Sequence, residues 1–123
     1  MEKFGKYKVI VCGSREFNDV EFIFGKLDIL LKNLDRTMIE IVSGCARGPD
    51  NIAIKYAEER GYKVWRFPPD WKHFGNAAGI VRNKMMAEFS THCIAFWDGK
   101  SVGTKHMIQE AEKNGLLVRI INV

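Results

Sequence analysis

The sequence predicts one α/β domain with three layers, helices on both faces of a five-stranded parallel sheet. Three observations predict it. Short apolar runs alternate with amphipathic stretches along the whole of the 123 residues. The runs "VIVC" and "CIAFW" are continuously apolar, as in strands buried on both faces. Strands separated by helices cannot pair as hairpins; they need crossovers and so run parallel. With right-handed crossovers, the expected strand order is 3-2-1-4-5.

The elements follow in order. The first strand covers Tyr7–Cys12 and is stopped by Gly13. Asn18-x-x-Glu21 has the spacing of a capping box. Val20, Ile23, Phe24, Leu27, Leu30, Leu31 and Leu34 then recur at helical intervals. "MIEIVSG" is the second strand. A helix is expected from Pro49, suited to a first turn, to Arg60, with Gly61 as its C-terminal cap. "YKVWRF" is the third strand, stopped by Pro68-Pro69. Residues 68–78, "PPDWKHFGNAA", are expected to be the longest irregular stretch. The next helix runs to about Phe89, with Val81, Met85 and Phe89 on one face. "HCIAFW" is the fourth strand, ended by Asp98-Gly99. Val102 to Asn114 is a helix stopped by Gly115, and "LLVRIINV" is the fifth strand. No internal repeat, low-complexity segment or domain boundary is visible, so residues 1–123 are expected to form one domain.

Composition narrows the function classes. At 46% hydrophobic residues the chain can build a core and is not expected to be disordered. No apolar run approaches the ~20 residues that cross a bilayer. The opening stretch, "MEKFGKYKVIVCGSR", lacks a secretory pattern. A cytoplasmic protein with no membrane association is expected. The net charge of +4 permits an anionic partner, but 19 basic and 15 acidic residues are interspersed without a basic tail.

The three cysteines form no C-x-x-C pair, so neither a zinc nor a redox motif is expected. Cys12 and Cys93 sit in apolar strands and read as buried, inert thiols. Cys45 lies near a helix start, where a thiol pKa is lowered. His73, His92 and His106 show no metal spacing and read as structural or exposed. No metal site is expected.

In an open parallel sheet, ligands bind beyond the carboxyl ends of the strands. Gly13, Ser14 and Arg15 end the first strand here. Ser43, Gly44, Arg47 and Gly48 follow the second, and Trp71 the third. Asp98, Gly99, Ser101, Gly103 and Thr104 follow the fourth. Small residues let backbone amides approach an anion, each helix start offers free N–H groups, and arginine adds a fork matched to phosphate. The alternative is that these glycines serve only tight turns. Arg82, beside Asn83, lies near a helix start, where a bound anion would offset the unfavourable dipole. Trp71 can stack on a base or cover the loop. Asp50 either steadies its loop or accepts from a ligand hydroxyl.

"GSR" at 13–15, "SGCARGPD" at 43–50, "PPDW" at 68–71, "AGIVRN" at 78–83 and "FWDGKSVGT" at 96–104 closely resemble the YspA/YpsA-related branch of the SLOG superfamily. That superfamily joins DNA-processing protein A (Smf) with the LOG, or lysine-decarboxylase-like, nucleotide hydrolases. The motifs cover nearly the whole chain. The resemblance implies a Rossmann-like domain that binds a nucleotide or nucleotide-derived ligand, for instance of ADP-ribose type, at this strand edge. It further implies pairing through helices into a homodimer, and a setting near phage or mobile-element functions. One departure matters. LOG hydrolases carry Pro-Gly-Gly-x-Gly-Thr-x-x-Glu, whose glutamate serves in cleaving the N-glycosidic bond. Gly103-Thr104 match the Gly-Thr pair, but Met107 holds the glutamate position, and methionine transfers no proton.

The leading expectation is therefore binding or sensing of a nucleotide or nucleotide-derived phosphate ligand, and the sequence identifies no particular cofactor. A nucleotide N-glycoside hydrolase with Asp98 or Glu110 as substitute carboxylate is the alternative. A single-strand DNA-binding accessory protein is a third reading, which predicts stacking aromatics along a basic groove.

Overall fold

The computed structural model describes residues 6–123. Residues 1–5, part of the stretch read above for a leader pattern, lie outside it. Strands β1 (Tyr7–Gly13), β2 (Ile39–Ser43), β3 (Lys63–Arg66), β4 (His92–Trp97) and β5 (Leu117–Asn122) form one sheet in the order β3-β2-β1-β4-β5. Every pairing is parallel, with Val9 opposite both Ile41 and His92. This is the topology expected from the sequence.

Helices α1 (Val20–Leu31) and α2 (Pro49–Arg60) cover one face of the sheet. Helices α4 (Ala78–Phe89) and α5 (Val102–Lys113) cover the other, after the four-residue α3 (Trp71–Phe74). Successive side chains of a strand point to opposite faces, so β1 serves two cores. Val9 and Val11 meet Ile23, Leu27, Tyr56 and Phe96 on the first face. Ile10 and Cys12 meet Met86, Cys93, Met107 and Ile108 on the second. Burial on both sides is why "VIVC" carries no polar alternation. No helix among the described residues is long and apolar enough to cross a membrane.

Four expectations need correction. The cap of α1 is Asp19, whose carboxylate accepts from Phe22 N at 3.1 Å, and not Asn18. The helix also ends at Leu31, leaving Leu34 to pack on the core from the following turn. Residues 68–78 are more ordered than expected. Asp70 caps α3 by accepting from His73 N at 3.2 Å, and a 3-10 turn, Gly75–Ala77, leads into α4. Finally, the buried residues of α4 are Ala78, Asn83, Met86 and Ala87, while Met85 is 50% exposed. The helix is wedged between the sheet and α5, so its buried stripe is displaced from the one read off the large apolar residues.

Candidate functional site

The loops at the carboxyl edge of the sheet are locked to one another before any ligand is considered. A methyl group on Gly13 would lie 2.5 Å from Phe96 O and 2.6 Å from Pro49 Cγ, so only glycine lets the start of α2 press on the end of β1. Gly48 has φ +80, and a methyl there would meet the carbonyl oxygens of Ser14, Arg15 and Phe17 at 2.9–3.0 Å. Ser14 is buried; its N–H donates to Phe96 O at 2.9 Å, and its Oγ accepts from Asp98 N at 3.0 Å. Ser43 is fully buried, donating to Asp50 O at 2.8 Å and accepting from Cys45 N at 3.1 Å. Ser14, Ser43 and Gly48 thus hold the loops together.

The loop after β4 is shaped by its own carboxylate. Asp98 Oδ1 accepts from Lys100 N and Ser101 N, each at 2.8 Å, which holds its pKa below the usual carboxylate range. Gly99, at φ +80, makes the turn. Ser101 caps α5 by accepting from Thr104 N at 3.3 Å, and its hydroxyl donates to Thr104 Oγ1 at 3.0 Å. Gly103, in the first turn of α5, differs from Gly13 and Gly48: a methyl there would meet nothing within 4 Å.

Between these loops lies a cleft of about 60 Å³, floored by Cys12, Met86 and Met107. Gly13, Arg15, Ala46, Asp50, Arg82, Asn83, Ser101, Gly103 and Thr104 complete its walls. It adjoins a wider groove of about 450 Å³ that shares Arg15, Arg82, Asn83 and Gly103. The groove adds Trp71, Asn76, Gly79, Ile80, Val102, Lys105, His106 and Gln109.

Arg82 is not a solvated helix cation. Its Nε donates to Asn83 Oδ1 at 2.9 Å, and its Nη1 donates to Gly44 O and to Phe67 O, the latter at 3.4 Å. Burial pushes its pKa down, and the charge of Asp50 acts against that. Gly44 is again a packing glycine, since a methyl there would collide with Arg82 Nη1 at 2.5 Å and Asp50 Oδ2 at 2.8 Å.

The Arg82 contact also fixes Asn83. With Oδ1 on the guanidinium, its Nδ2 faces His106 Nδ1 at 3.0 Å, which makes that ring nitrogen the acceptor. The ring proton then sits on Nε2, 3.5 Å from Glu110 Oε2. A chain Glu110–His106–Asn83–Arg82 therefore holds the guanidinium in place from α5.

Asp50 is 5% exposed and lines the cleft. Burial pushes its pKa up to about 6, opposed by Arg82, by the Ala46 amide 3.4 Å from Oδ2, and by Arg15. Arg15 is exposed and forms no ion pair among the described residues. Arg47 behaves differently. It is paired with Glu16 at 3.0 Å, both side chains are largely exposed, and it does not line the cleft.

Of the residues singled out from the sequence, Gly13, Arg15, Asp50, Arg82, Asn83, Ser101, Gly103 and Thr104 meet around the cleft, and Trp71 lies along the groove. Arg47 is turned to Glu16, and Glu110 stands behind His106. His106 is a half-buried part of the groove wall, a place that metal spacing did not reveal. The Cys45 pKa is raised by burial and by Asp50, the reverse of the lowering expected at a helix start. Cys12, Asn76, Gly79, Met86, His106 and Gln109 were missed as lining residues. Helical spacing reaches two of them: Met86 lies four residues after Arg82, and His106 three after Gly103.

The molecule is thus a parallel-sheet, Rossmann-type α/β domain with a small polar cleft at its carboxyl edge. Residues 7–74 match the family model of the YspA, cpYpsA-related SLOG family. The Gene 61 protein of Mycobacterium phage D29 is 35% identical over 119 residues, covering 90% of this chain and 93% of that protein. The chain belongs to this SLOG family. Among solved structures, DNA processing protein A (DprA) from Streptococcus pneumoniae superposes with a TM-score of 0.74 at 18% identity over 96% of this chain. The likeness shows a shared fold, and the chain spans about half of that protein, 50% of its length.

Proposed function

We propose that this chain binds a nucleotide or nucleotide-derived phosphate ligand at the carboxyl edge of its sheet. The observation that carries the reading is the convergence of Arg15 and Arg82 on one cleft beside the open first turn of α5 at Gly103. A phosphate fits the small cleft, where two guanidiniums and a helix start favour negative charge. The adjoining groove, of about 450 Å³, is within the usual range for a small-molecule site. It offers Trp71 for stacking and Asn76 and Gln109 for polar edges of a nucleoside. A thermal-shift screen against a panel of nucleotides tests this. A saturable rise with one member, lost in Arg15→Ala, supports it. No shift with any member at millimolar concentration overturns it.

Nucleotide hydrolysis is the second reading, and one observation favours it: a buried carboxylate of raised pKa in a cleft is a frequent mark of a catalytic group. That carboxylate is Asp50, the one carboxylate lining the cleft among the described residues. Asp98 is occupied by two amides and Glu110 by His106, so neither suits the role expected for it. Met107 brings no carboxylate to the cleft floor. We expect purified protein to release no free base from AMP at turnover of about 1 per second, an ordinary enzymatic rate; release at that rate would replace the binding reading with the hydrolytic one.

A further inference from the structure

Resting on the phosphate assignment above, we infer that the cleft takes up a proton together with its anion: Asp50 is the counter-charge that an incoming anion opposes, and anion binding neutralises it.

The geometry starts from where Asp50 stands. It is the second residue of α2, 5% exposed, in the wall of the cleft. Over Gly44, its Oδ2 and Arg82 Nη1 crowd one space, 2.8 Å and 2.5 Å from the position a methyl group would take. The elements packed around it supply few other charges. From β1 comes the Cys12 thiol, and from the turn after β1 comes Arg15. From the turn after β2 come the Cys45 thiol and the Ala46 amide, and from α4 comes Arg82. The α5 side contributes Thr104 and Met107, which carry no charge. Both thiols are pushed above their usual pKa and stay neutral near pH 7. Among the described residues, the charges at the cleft wall are therefore one carboxylate and two guanidiniums.

An anion drawn to Arg15 and Arg82 meets the Asp50 carboxylate at short range in a poorly solvated space, where like charges repel strongly. Asp50 has little room to retreat, because its carboxylate receives the Ala46 amide and its carbonyl receives the Ser43 hydroxyl. Protonation relieves the repulsion, and it converts the side chain from an acceptor into an O–H donor that can reach the anion. The free site already sits near this transition, at about 6. A bound anion raises that pKa further, so binding draws a proton from water. Affinity then rises as pH falls from slightly alkaline values toward 6 and levels off below it.

Sulfate is the probe, because its charge is constant over this range, whereas a phosphate monoester titrates near pH 6. Its Kd is measured by NMR titration of wild type and Asp50→Asn at pH 5.5 and pH 8, at fixed ionic strength. Wild type should bind about tenfold tighter at pH 5.5, a coupling within the usual range. Asp50→Asn should bind at pH 8 as wild type does at pH 5.5, with little change between them. His106 is retained in that variant, so any dependence that survives belongs to other groups. A wild-type Kd equal at the two pH values, or a full dependence retained in Asp50→Asn, overturns the inference and leaves the anion site standing. No sulfate binding to folded protein at either pH overturns both. Should Asp50→Asn not fold, the carboxyl carbon of Asp50 in wild type decides: its titration midpoint must move upward when sulfate is added, and an unmoved midpoint refutes the coupling.

Discussion

The amide of Asp98 donates to Ser14 Oγ at 3.0 Å, so the loop after β4 hangs from the turn after β1. The side chain at position 14 lies inside this junction, 3% exposed, and does not line the cleft. Ser14→Ala removes the acceptor and leaves the Asp98 amide unpaired. Leaving a partly buried donor unpaired costs about 1–3 kcal/mol. We expect urea unfolding to show a loss in that range, with the Asp98–Thr104 amides shifted in the NMR spectrum. An unchanged midpoint would mean that water replaces the hydroxyl without loss.

Two glycines of the same edge should respond in opposite ways to one methyl group. Gly48→Ala forces a side chain into φ +80 and against three carbonyl oxygens, and should destabilise the fold by at least about 2 kcal/mol. Gly103→Ala places its methyl in open space in a helical turn, where alanine is favoured over glycine by about 0.5–1 kcal/mol. That variant should melt higher and, on the proposed reading, bind a nucleotide less well, since the methyl would fill open space at the cleft. A Gly103→Ala protein that binds as wild type does would remove this turn from the site.

The strand order was legible because continuous apolar runs separated by helical spacing admit few arrangements. Pro49 and Gly61 bounded α2 in the sequence and in the structure alike. What the sequence did not reveal was which loop residues line the cleft and which face each other. Glycine at 13, 44 and 48 is spent on contacts with Phe96, Arg82 and Ser14, residues 34 to 83 positions away that only the folded sheet brings close. The same holds for Ser14 and Ser43, whose hydroxyls are used across loops. Arg82 was found through an electrostatic anomaly at a helix start, but its supports, His106 and Glu110, lie on another helix and leave no local signal.

The arginines separate by location. Arg15 lines both the cleft and the groove without an ion pair among the described residues, while Arg47 is paired with Glu16 on an exposed surface. Arg15→Ala should reduce affinity for a phosphate ligand by about 1.5–3 kcal/mol, the size of a charged hydrogen bond, with the melting temperature nearly unchanged. Arg47→Ala removes a surface pair worth about 0–1 kcal/mol and should leave affinity within about 0.5 kcal/mol. Isothermal titration of both variants checks this. The reverse ranking would place the phosphate over the start of α2 and not beside α5.

Asp50 makes the fold's stability depend on pH in a direction opposite to most carboxylates. Its pKa rises from 3.8 for a free carboxyl to about 6 in the folded chain. The folded state therefore holds the proton more tightly than the unfolded state. The stability this contributes is fully present below about pH 4 and is lost as pH rises through about 6. At pH 7.5 the charged, buried carboxylate is a liability of up to about 3 kcal/mol, by the conversion of 1.36 kcal/mol for each tenfold change in proton affinity. Asp28 acts the other way. Hydrogen bonds from Arg60 and Tyr56 hold its pKa down, so its contribution is present above about pH 4 and fails in acid. Asp28 is the same in wild type and Asp50→Asn, so the difference between the two proteins isolates position 50. Asp50→Asn keeps an acceptor for the Ala46 amide and carries no charge. It should unfold at higher urea concentration than wild type at pH 7.5, by about 1–3 kcal/mol, and the advantage should vanish near pH 4. A variant less stable than wild type at pH 7.5 would show that the Arg82 and Arg15 charges outweigh the burial of the carboxylate, and that Asp50 is ionised well below pH 6.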